Sequence, residues 1–357
     1  MRQETARAWV EVDLGALKRN AQLLASRAGV PLLPMVKSDG YGLGVAAVVR
    51  ALESLSPWGY GVATIEEGAA LRVLGVERRI LVFTPLLAGS FAVARDNRLT
   101  PVLGDSVRVR QWREAGGDAW HLAVDTGMNR AGCPWDRVGE LEAELRRAPP
   151  EGAFTHFHSA DREDGSLGVQ QSRFETAVRA LPQRPRYLHA ENSPALEMQS
   201  PSPWDLVRPG VALYGVASGS AMKLEPVASL HARIVDLRRV AAGETVSYGG
   251  TWRAESPRTI ATAAAGYADG VRRSLSNRGM ALVSGARAPI AGTVTMDMTM
   301  LDVTGIDCAV GDVATFLGRQ GGATLTIDEV ARAGGLSPYE FLVGLAMRAP
   351  RLYTEPS

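Results

Sequence analysis

The strongest constraint on the fold is a regular alternation of short apolar runs with longer amphipathic segments, from about residue 30 to residue 210. Eight runs have the length of a buried strand: LLPMV (32–36), YGVA (60–63), ILVF (80–83), TPVL (100–103), WHLAV (120–124), AFTHF (153–157), YLHA (187–190) and DLVR (205–208). The segments between them have a helical period and include 45–54, 66–74, 135–147 and 170–181. Strands that alternate with helices form βαβ units and a parallel sheet. Eight such units predict a closed (β/α)₈ TIM barrel, and an open parallel sheet fits the same pattern.

After Tyr214 the pattern changes to strand-like segments separated by glycine-containing turns. These segments are 229–240, 258–266, 280–285 and 312–318, and only 327–333 and 338–348 have a helical pattern. The predicted fold is therefore α/β, with an N-terminal barrel over residues 8–225 and a C-terminal, mostly-β domain over residues 226–357. The run AWVEVD (8–13) precedes the barrel and is a candidate extra strand of the β domain.

Composition excludes several classes of protein. Lys and Arg total 39 against 38 acidic residues, so the basic excess that is typical of nucleic-acid binders is missing. No apolar stretch reaches the roughly 18 residues of a membrane helix, and the N-terminal sequence does not resemble a signal peptide. The two cysteines, Cys133 and Cys308, lie far apart and predict reduced thiols. We expect a cytoplasmic protein that binds neither nucleic acid nor membrane.

Distinctive polar residues follow the predicted barrel strands, where active sites of barrel enzymes assemble. They are Lys37 after the first run, Asp125 and Arg130 after the fifth, His156 in the sixth, Asn192 and Ser193 after the seventh, and Arg208 at the end of the eighth. A single lysine at the end of a strand is usually a solvent-exposed side chain without a catalytic role. Agreement across several strands instead indicates an active site.

Lys37 opens the stretch KSDGYGLG, whose glycines allow a close approach of the backbone to a ligand. Tyr41 offers a hydroxyl in the same stretch. A lysine beside an apolar strand end loses its proton more easily, which suits Schiff-base chemistry with a carbonyl cofactor. A plain βα turn explains the glycines equally well.

Arg208 begins RPGVALYG, in which the backbone N–H groups of Gly210 and Val211 are suited to a phosphate. Barrel enzymes commonly bind phosphate after strands seven and eight. Ser193, in the sequence NSP, adds a hydroxyl there, although Asn-Ser-Pro is also an ordinary helix N-cap signal.

Eight motifs together resemble those of bacterial alanine racemases in their order and approximate spacing. They are VKSDGYGLG, VDTGMNRAG, THF, AENSP, RPGVALYG, VSYGGTW, GYADG and TMDM. The resemblance extends from about residue 8 to the end of the chain. It implies a pyridoxal-phosphate enzyme that interconverts L- and D-alanine and supplies D-alanine for peptidoglycan.

The resemblance also implies roles for individual residues. Lys37 resembles the lysine that binds the cofactor and acts as one base, and Tyr248 resembles the opposing base, which the partner subunit of a homodimer supplies. Arg208 resembles the arginine that faces the pyridine nitrogen, and His156 resembles the histidine between that arginine and the tyrosine. The remaining cofactor ligands are implied to be Tyr41, Asn192, Ser193, Gly210 and Val211. The implied residues for the small amino-acid substrate are Arg130, Met296 and Tyr267.

Four positions depart from the family pattern. Ala123 replaces a lysine that is often carbamylated and orients the nearby arginine, so Arg130 must be held by another group. Leu43, Thr295 and Met347 replace a usual His, Cys and Tyr. Because these changes surround the substrate, a serine racemase or a broad-specificity amino-acid racemase is the alternative.

Three other functions fit the sequence less well. His156 and His158 invite a metal, but no histidine follows His231 to complete a ligand set, so no metal is expected. A barrel-type decarboxylase usually has a catalytic Cys-Asp pair, whereas Cys308 is followed by alanine. A non-catalytic pyridoxal-phosphate binding protein would lack the β domain that carries Tyr248.

Overall fold

The computed structural model describes residues 6–219, 222–345 and 348–354. The chain separates into two compact units. The barrel unit comprises residues 17–40 and 48–225, and the β unit comprises the chain up to residue 16, residues 41–47 and the chain from residue 226 onward. The first strand, β1 (Ala8–Asp13), pairs within the β unit, and helix α1 (Leu14–Ala28) leads into the barrel unit.

The barrel unit is built on a parallel sheet. Its strands are β2 (Gly59–Val62), β3 (Arg79–Val82), β4 (Thr100–Leu103), β5 (His121–Asp125), β6 (Cys133–Pro134), β7 (Gly152–Phe154) and β8 (Tyr187–His189). The sheet order is β2-β3-β4-β5-β7-β8, with the short β6 paired to β5. Its further helices are α2 (Val45–Glu53, which begins in the β unit), α3 (Ile65–Val73), α4 (Phe91–Asp96), α5 (Ser106–Glu114), α6 (Glu142–Arg147), α7 (Ser166–Arg179) and α8 (Ser193–Met198).

The first and eighth predicted runs close this sheet into a barrel, although neither forms a regular strand. Leu32 bridges Val207 and Met35 bridges Gly61, both in parallel orientation. The backbone of residues 205–208 bonds in turn to that of Leu188 and Glu191. Prolines at positions 31, 34 and 209 lack the N–H that a continuous ladder needs, which explains the isolated bridges. The predicted (β/α)₈ barrel is confirmed.

Two predicted elements differ in extent. The segment 135–147 forms a 3₁₀ turn, Val138–Leu141, followed by the short helix α6, instead of one helix. Strand β7 ends at Phe154, so His156 lies beyond its carboxyl end and not within the strand. That position is the edge of the sheet at which barrel active sites assemble.

The β unit contains the remaining strands. They are β9 (Ala228–Val240), β10 (Thr245–Val246), β11 (Trp252–Arg253), β12 (Arg258–Ala263), β13 (Met280–Val283), β14 (Ala286–Pro289), β15 (Thr299–Asp302), β16 (Val313–Gln320), β17 (Ala323–Leu325) and β18 (Arg351–Thr354). The long strand β9 is central, with β1, β12 and β16 all antiparallel to it. Strand β18 pairs with β1 in parallel.

Among the described residues the β unit also contains two helices, α9 (Ile327–Gly334) and α10 (Pro338–Val343). The first agrees with the helix predicted over 327–333, whereas the second ends just before Gly344, short of the predicted end at 348, because glycine is a poor helix former. One part of its core is a cluster of the buried residues Val240, Val246, Ala254, Ile260 and Ala291. The mostly-β character of this part of the chain is confirmed. In the described part of the chain no helix is both long and apolar enough to cross a membrane.

Candidate active site

Lys37 lies at the start of an unusual left-handed turn. Three non-glycine residues that follow it have positive φ angles, namely Ser38 (53°), Asp39 (55°) and Tyr41 (55°). A left-handed conformation costs roughly 1–2 kcal/mol for each L-residue, so the surrounding structure must hold this turn in place. The side chain of Lys37 is half-buried and makes no hydrogen bond or ion pair with any described residue.

Glu67 holds the turn, and its role was missed by the sequence analysis. Its Oε1 accepts the Ser38 N–H at 2.7 Å. Its Oε2 accepts the N–H groups of Ala63 at 2.7 Å and Thr64 at 3.3 Å, the latter completing a capping box at the start of α3. The pattern Thr-x-x-Glu could have signalled the cap, but not the bond to Ser38.

The electrostatic surroundings of Lys37 favour its neutral form. Burial lowers the pKa of Lys37, and the nearby Arg130 lowers it further, while Glu67 opposes both effects. A neutral amine is the form that can attack a carbonyl or accept a proton. The local structure therefore supports the predicted chemistry of this lysine.

Arg208 is buried, with 3 % of its surface exposed, and its two terminal nitrogens are fully engaged. Nη1 donates to the carbonyl oxygen of His189 at 2.6 Å and lies 2.9 Å from His189 Nδ1. Nη2 donates to the carbonyl oxygens of Thr155 at 2.8 Å and Ala190 at 3.0 Å. None of these bonds uses Nε.

His156 is close to Arg208, as the sequence predicts, but the contact is long. Its Nδ1 lies 3.4 Å from Arg208 Nη2, whose two protons already go to carbonyl oxygens. Burial lowers the pKa of His156 to about 3, and the cations Arg208, Arg130 and Lys37 contribute to that shift. His156 is consequently a neutral imidazole at physiological pH.

Two of the residues predicted to bind phosphate, Ser193 and Gly210, are hydrogen-bonded to each other. Ser193 is buried, and its Oγ accepts the N–H groups of Gly210 at 2.9 Å and Ala212 at 3.2 Å. Because Oγ accepts both of these bonds, the Ser193 hydroxyl proton is left to be donated. Val211 begins the 3₁₀ turn Val211–Tyr214, whose first N–H groups have no partner within the turn.

Asn192 has a structural role in this group. Its Oδ1 accepts the Ala195 N–H at 3.2 Å and so caps helix α8, while Nδ2 donates to the carbonyl oxygen of Phe157 at 3.1 Å. The helix-cap interpretation of Asn-Ser-Pro therefore applies to Asn192.

Arg130 is exposed and has neither a hydrogen bond nor an ion pair with residues in the described ranges. Ala123, which replaces the orienting lysine of related sequences, is buried in an apolar cluster with Val102 and Phe154. The position that would orient Arg130 is thus apolar, and no side chain among the described residues anchors Arg130 in its place.

Tyr248 belongs to the β unit, and its exposed ring extends from a backbone segment that is fixed by hydrogen bonds. The ring is 74 % exposed. Ser247 before it has a positive φ of 67°, and its hydroxyl donates to the Thr293 carbonyl oxygen at 2.6 Å. Thr293 Oγ1 returns a bond to the Tyr248 carbonyl oxygen at 2.9 Å. Rigid support of an exposed polar side chain is typical of a functional position.

Tyr267 and Met296 lie together in the β unit, on two loops joined through their backbones. The Tyr267 N–H donates to the Thr295 carbonyl oxygen at 2.9 Å, and the Ala268 N–H donates to that of Met296 at 3.1 Å. A Cβ on Gly266 would lie 2.2 Å from the Thr295 carbonyl oxygen, so the close approach of the loops requires glycine.

Two further predicted positions need comment. Tyr41 is buried in the β unit, and burial raises the pKa of its hydroxyl, which stays protonated. Met347 lies outside the described residues.

No cluster of three or more potential metal ligands occurs among the residues that the structure describes.

Comparison with known proteins decides the family. The family profile for the N-terminal domain of alanine racemase matches residues 12–218, and that for the C-terminal domain matches residues 227–353. The chain belongs to the alanine racemase family. A curated alanine racemase from Sorangium cellulosum is 38 % identical over 97 % of this chain and 98 % of its own length.

Solved structures agree with this assignment. Alanine racemase from E. faecalis is 29 % identical, with a TM-score of 0.91 over 98 % of both chains. Alanine racemase from Bartonella henselae, solved with covalently bound pyridoxal phosphate, is 26 % identical, with a TM-score of 0.90 over 98 % of this chain and 100 % of the other. The chain is accordingly an amino-acid racemase, and the comparisons support alanine racemisation over the alternative functions.

Proposed function

We propose that this protein is a pyridoxal-phosphate-dependent alanine racemase with a two-base mechanism. The observation that carries the proposal is the half-buried Lys37, with a lowered pKa, on a turn that its own barrel unit holds in a left-handed conformation. We further propose that the reaction takes place in the cytoplasm and supplies D-alanine for peptidoglycan. Both cysteines are free thiols, which suits a reducing compartment.

The donor groups of the barrel unit fit pyridoxal phosphate. Lys37 offers an amine for the aldehyde, and Arg208 offers a guanidinium for the pyridine nitrogen. The Ser193 hydroxyl and the Val211 N–H offer donors for the phosphate, whereas the N–H groups of Gly210 and Ala212 already donate to Ser193 Oγ. When bound, pyridoxal phosphate withdraws electrons from the α-carbon of the substrate and so makes its α-proton removable.

Arg208 restrains that electron withdrawal. Burial lowers its pKa, yet its ordinary value is so high that the guanidinium stays protonated at neutral pH. A guanidinium donates a hydrogen bond to the ring nitrogen without giving up its proton. The weaker electron sink favours return of the proton to the α-carbon over transamination.

Two bases on opposite faces explain the change of configuration. One group removes the α-proton from one face and the other delivers a proton to the opposite face. Lys37 and Tyr248 are the two groups, and reversal of their roles converts the other enantiomer. Arg130, Met296 and Tyr267 bind the amino-acid substrate.

We propose that the active enzyme is a homodimer in which Tyr248 of each subunit serves the site of the other. The exposed ring on a rigid backbone supports this arrangement. Neither Lys37→Ala nor Tyr248→Phe should be active alone. After dissociation and reassociation of an equal mixture, half of the dimers are heterodimers and one of their two sites is intact, so about a quarter of wild-type activity returns. A mixture that stays inactive would contradict shared sites.

The substrate is tested by a chiral assay of the purified protein with pyridoxal phosphate. Both enantiomers of alanine, serine, lysine and arginine are compared. We expect alanine to have the highest kcat/KM in both directions. Faster turnover of serine or of several amino acids would instead support the broad-specificity alternative, and no turnover of any would support a binding protein.

A further inference from the structure

A chain of polar side chains leads from Arg208 through the barrel unit to an ion pair at its surface. His189 Nδ1 lies 2.9 Å from Arg208 Nη1, and His189 Nε2 lies 2.7 Å from His121 Nδ1. His121 Nε2 faces Glu151 Oε2 at 3.9 Å, and Glu151 Oε1 accepts a bond from Arg79 at 2.7 Å. Both histidines are fully buried. The residues that follow Arg208 in this chain, namely His189, His121, Glu151 and Arg79, were not predicted as site residues from the sequence motifs.

Only one arrangement of protons satisfies this chain. A guanidinium donates hydrogen bonds and never accepts them, so Nδ1 of His189 must be the acceptor. Burial lowers the pKa of both histidines, which are therefore neutral, with one proton each. His189 then carries its proton on Nε2 and donates it to His121 Nδ1. His121 in turn carries its proton on Nε2, directed at the Glu151 carboxylate.

The chain provides a negative charge that the direct hydrogen-bond partners of Arg208 lack. Its hydrogen-bond partners are carbonyl oxygens and imidazoles, and its guanidinium lies over the rings of Phe83 and Phe154, at 5.9 and 5.2 Å. A buried cation is costly unless an anion compensates it.

Two carboxylates act on this part of the barrel unit. Glu191 attracts Arg208, but burial raises the pKa of Glu191 to about 7, so it is only partly ionised at neutral pH. Glu151 is different, because the nearby His121 and the hydrogen bonds from Arg79 lower its pKa to about 2. Glu151 is the permanent anion of the pair.

We propose that Glu151, His121 and His189 are positioning residues of the racemase, which orient the Arg208 guanidinium and direct the Glu151 charge toward it. The inference rests on the proposed function, since Arg208 is taken to face the cofactor. The Glu151 carboxylate polarises the His121 ring electrostatically across 3.9 Å, and the hydrogen bond between the two imidazoles passes this polarisation on, which strengthens His189 Nδ1 as an acceptor. The anchored Nη1 helps to fix the orientation of the guanidinium, whose Nε would then be available to the cofactor.

The protonation states of the imidazole nitrogens are tested by ¹⁵N NMR of the full-length, pyridoxal-phosphate-loaded protein, labelled at its five histidines. We expect His121 and His189 to be neutral, with unprotonated Nδ1 and protonated Nε2. A proton on Nδ1 of His189, or a charged ring at neutral pH, would overturn the proposal. This readout needs no turnover, so a failure of the proposed function is recognised separately, by the absence of racemisation in the wild type.

The role of the charge is tested with three variants. Glu151→Gln keeps the shape and loses the charge, Glu151→Asp keeps the charge, and Glu77→Gln removes a carboxylate from an exposed pair with Arg98 in the same unit. We expect Glu151→Gln to shift the His189 ring nitrogens and to lower kcat about tenfold, which corresponds to ~1.4 kcal/mol in the transition state, with little change in KM.

Glu77→Gln should leave both the NMR shifts and kcat unchanged, and Glu151→Asp should retain more activity than Glu151→Gln. The proposal is wrong if Glu151→Gln affects His189 no more than Glu77→Gln does. It is equally wrong if the aspartate variant is less active than the glutamine variant, because the charge would then not be the important property.

Discussion

The Glu67 carboxylate, which accepts the N–H groups of Ser38, Ala63 and Thr64, should contribute measurably to the stability of the barrel unit. In Glu67→Gln the amide oxygen can still accept from Ala63 and Thr64, but the NH₂ group then faces the Ser38 N–H, so that the 2.7 Å bond is lost. A hydrogen bond to a charged group contributes ~1.5–3 kcal/mol. Because Ser38 is exposed and water can replace part of the bond, we expect a loss of ~2 kcal/mol in the free energy of unfolding.

The assay is thermal unfolding of the full-length protein with its cofactor. For a unit of about 200 residues, each kcal/mol shifts the midpoint by ~2–4 °C, so Glu67→Gln should melt about 4–8 °C lower. Glu66→Gln is the matched control, since it removes a charge from the same exposed first turn of α3 without touching Ser38. Glu66→Gln should lower the midpoint less than Glu67→Gln does, because an exposed charge near a helix N-terminus contributes little to stability.

Glu67→Gln should also lower catalytic activity. Released from Glu67, the turn after Lys37 relaxes from its left-handed conformation, and kcat should fall while Glu66→Gln remains near wild type. Loss of the Glu67 attraction also lowers the pKa of Lys37 further. If both variants melt within 1 °C of each other, with ~1 °C taken as the resolution of the midpoint, Glu67 does not hold the turn and the reasoning is refuted.

Three further predictions follow from the titratable groups. Of the three lysines, 18, 37 and 223, Lys37 should react with an amine-directed acetylating reagent at the lowest pH in cofactor-free protein, as mass spectrometry would measure, and equal pH dependence of all three would contradict its lowered pKa. Glu191→Gln should become more stable relative to wild type as the pH rises from 4.5 to 7, by ~3 kcal/mol in total, because a raised carboxyl pKa costs stability above its unfolded value; a pH-independent difference in denaturant midpoints would refute this. The fully buried His121 and His189 have lowered pKa values, so the unfolded chain binds more protons than the folded chain below about pH 6.5. As the pH falls, each histidine should lower the free energy of unfolding by up to ~1.4 kcal/mol per pH unit. In His189→Asn the free energy of unfolding should therefore fall less steeply at acid pH, and an unchanged slope would contradict this.

The barrel could be predicted from the sequence because its strands are short apolar runs at regular intervals. Prediction failed where backbone chemistry overrides hydrophobic pattern, as in residues 32–36, where prolines reduce a strand to isolated bridges. The β unit was recognisable from its strand-like segments. The pairing of β1 with β9 and β18 joins residues more than 200 positions apart, which no local pattern specifies.

Motifs name Lys37, Arg208 and Ser193 as site residues, and the structure gives their hydrogen-bond partners and burial in the barrel unit, while their roles stay predictions. The residues that hold these groups were missed. Glu67 resembles an ordinary helix cap, and His121 and His189 resemble apolar-strand residues, because their partners come from other strands. Supporting contacts of this kind depend on tertiary structure and leave no local signal.

The central claim is that Lys37 and Tyr248 act on opposite faces of the substrate. It is tested most directly by incubating Tyr248→Phe, loaded with pyridoxal phosphate, with each enantiomer of alanine in D₂O, and by measuring α-deuterium incorporation with NMR and configuration with chiral chromatography. With only Lys37 left, we expect one enantiomer to exchange its α-proton without inversion and the other to remain unlabelled. Exchange of both enantiomers, or racemisation at the wild-type rate, would contradict the two-base account.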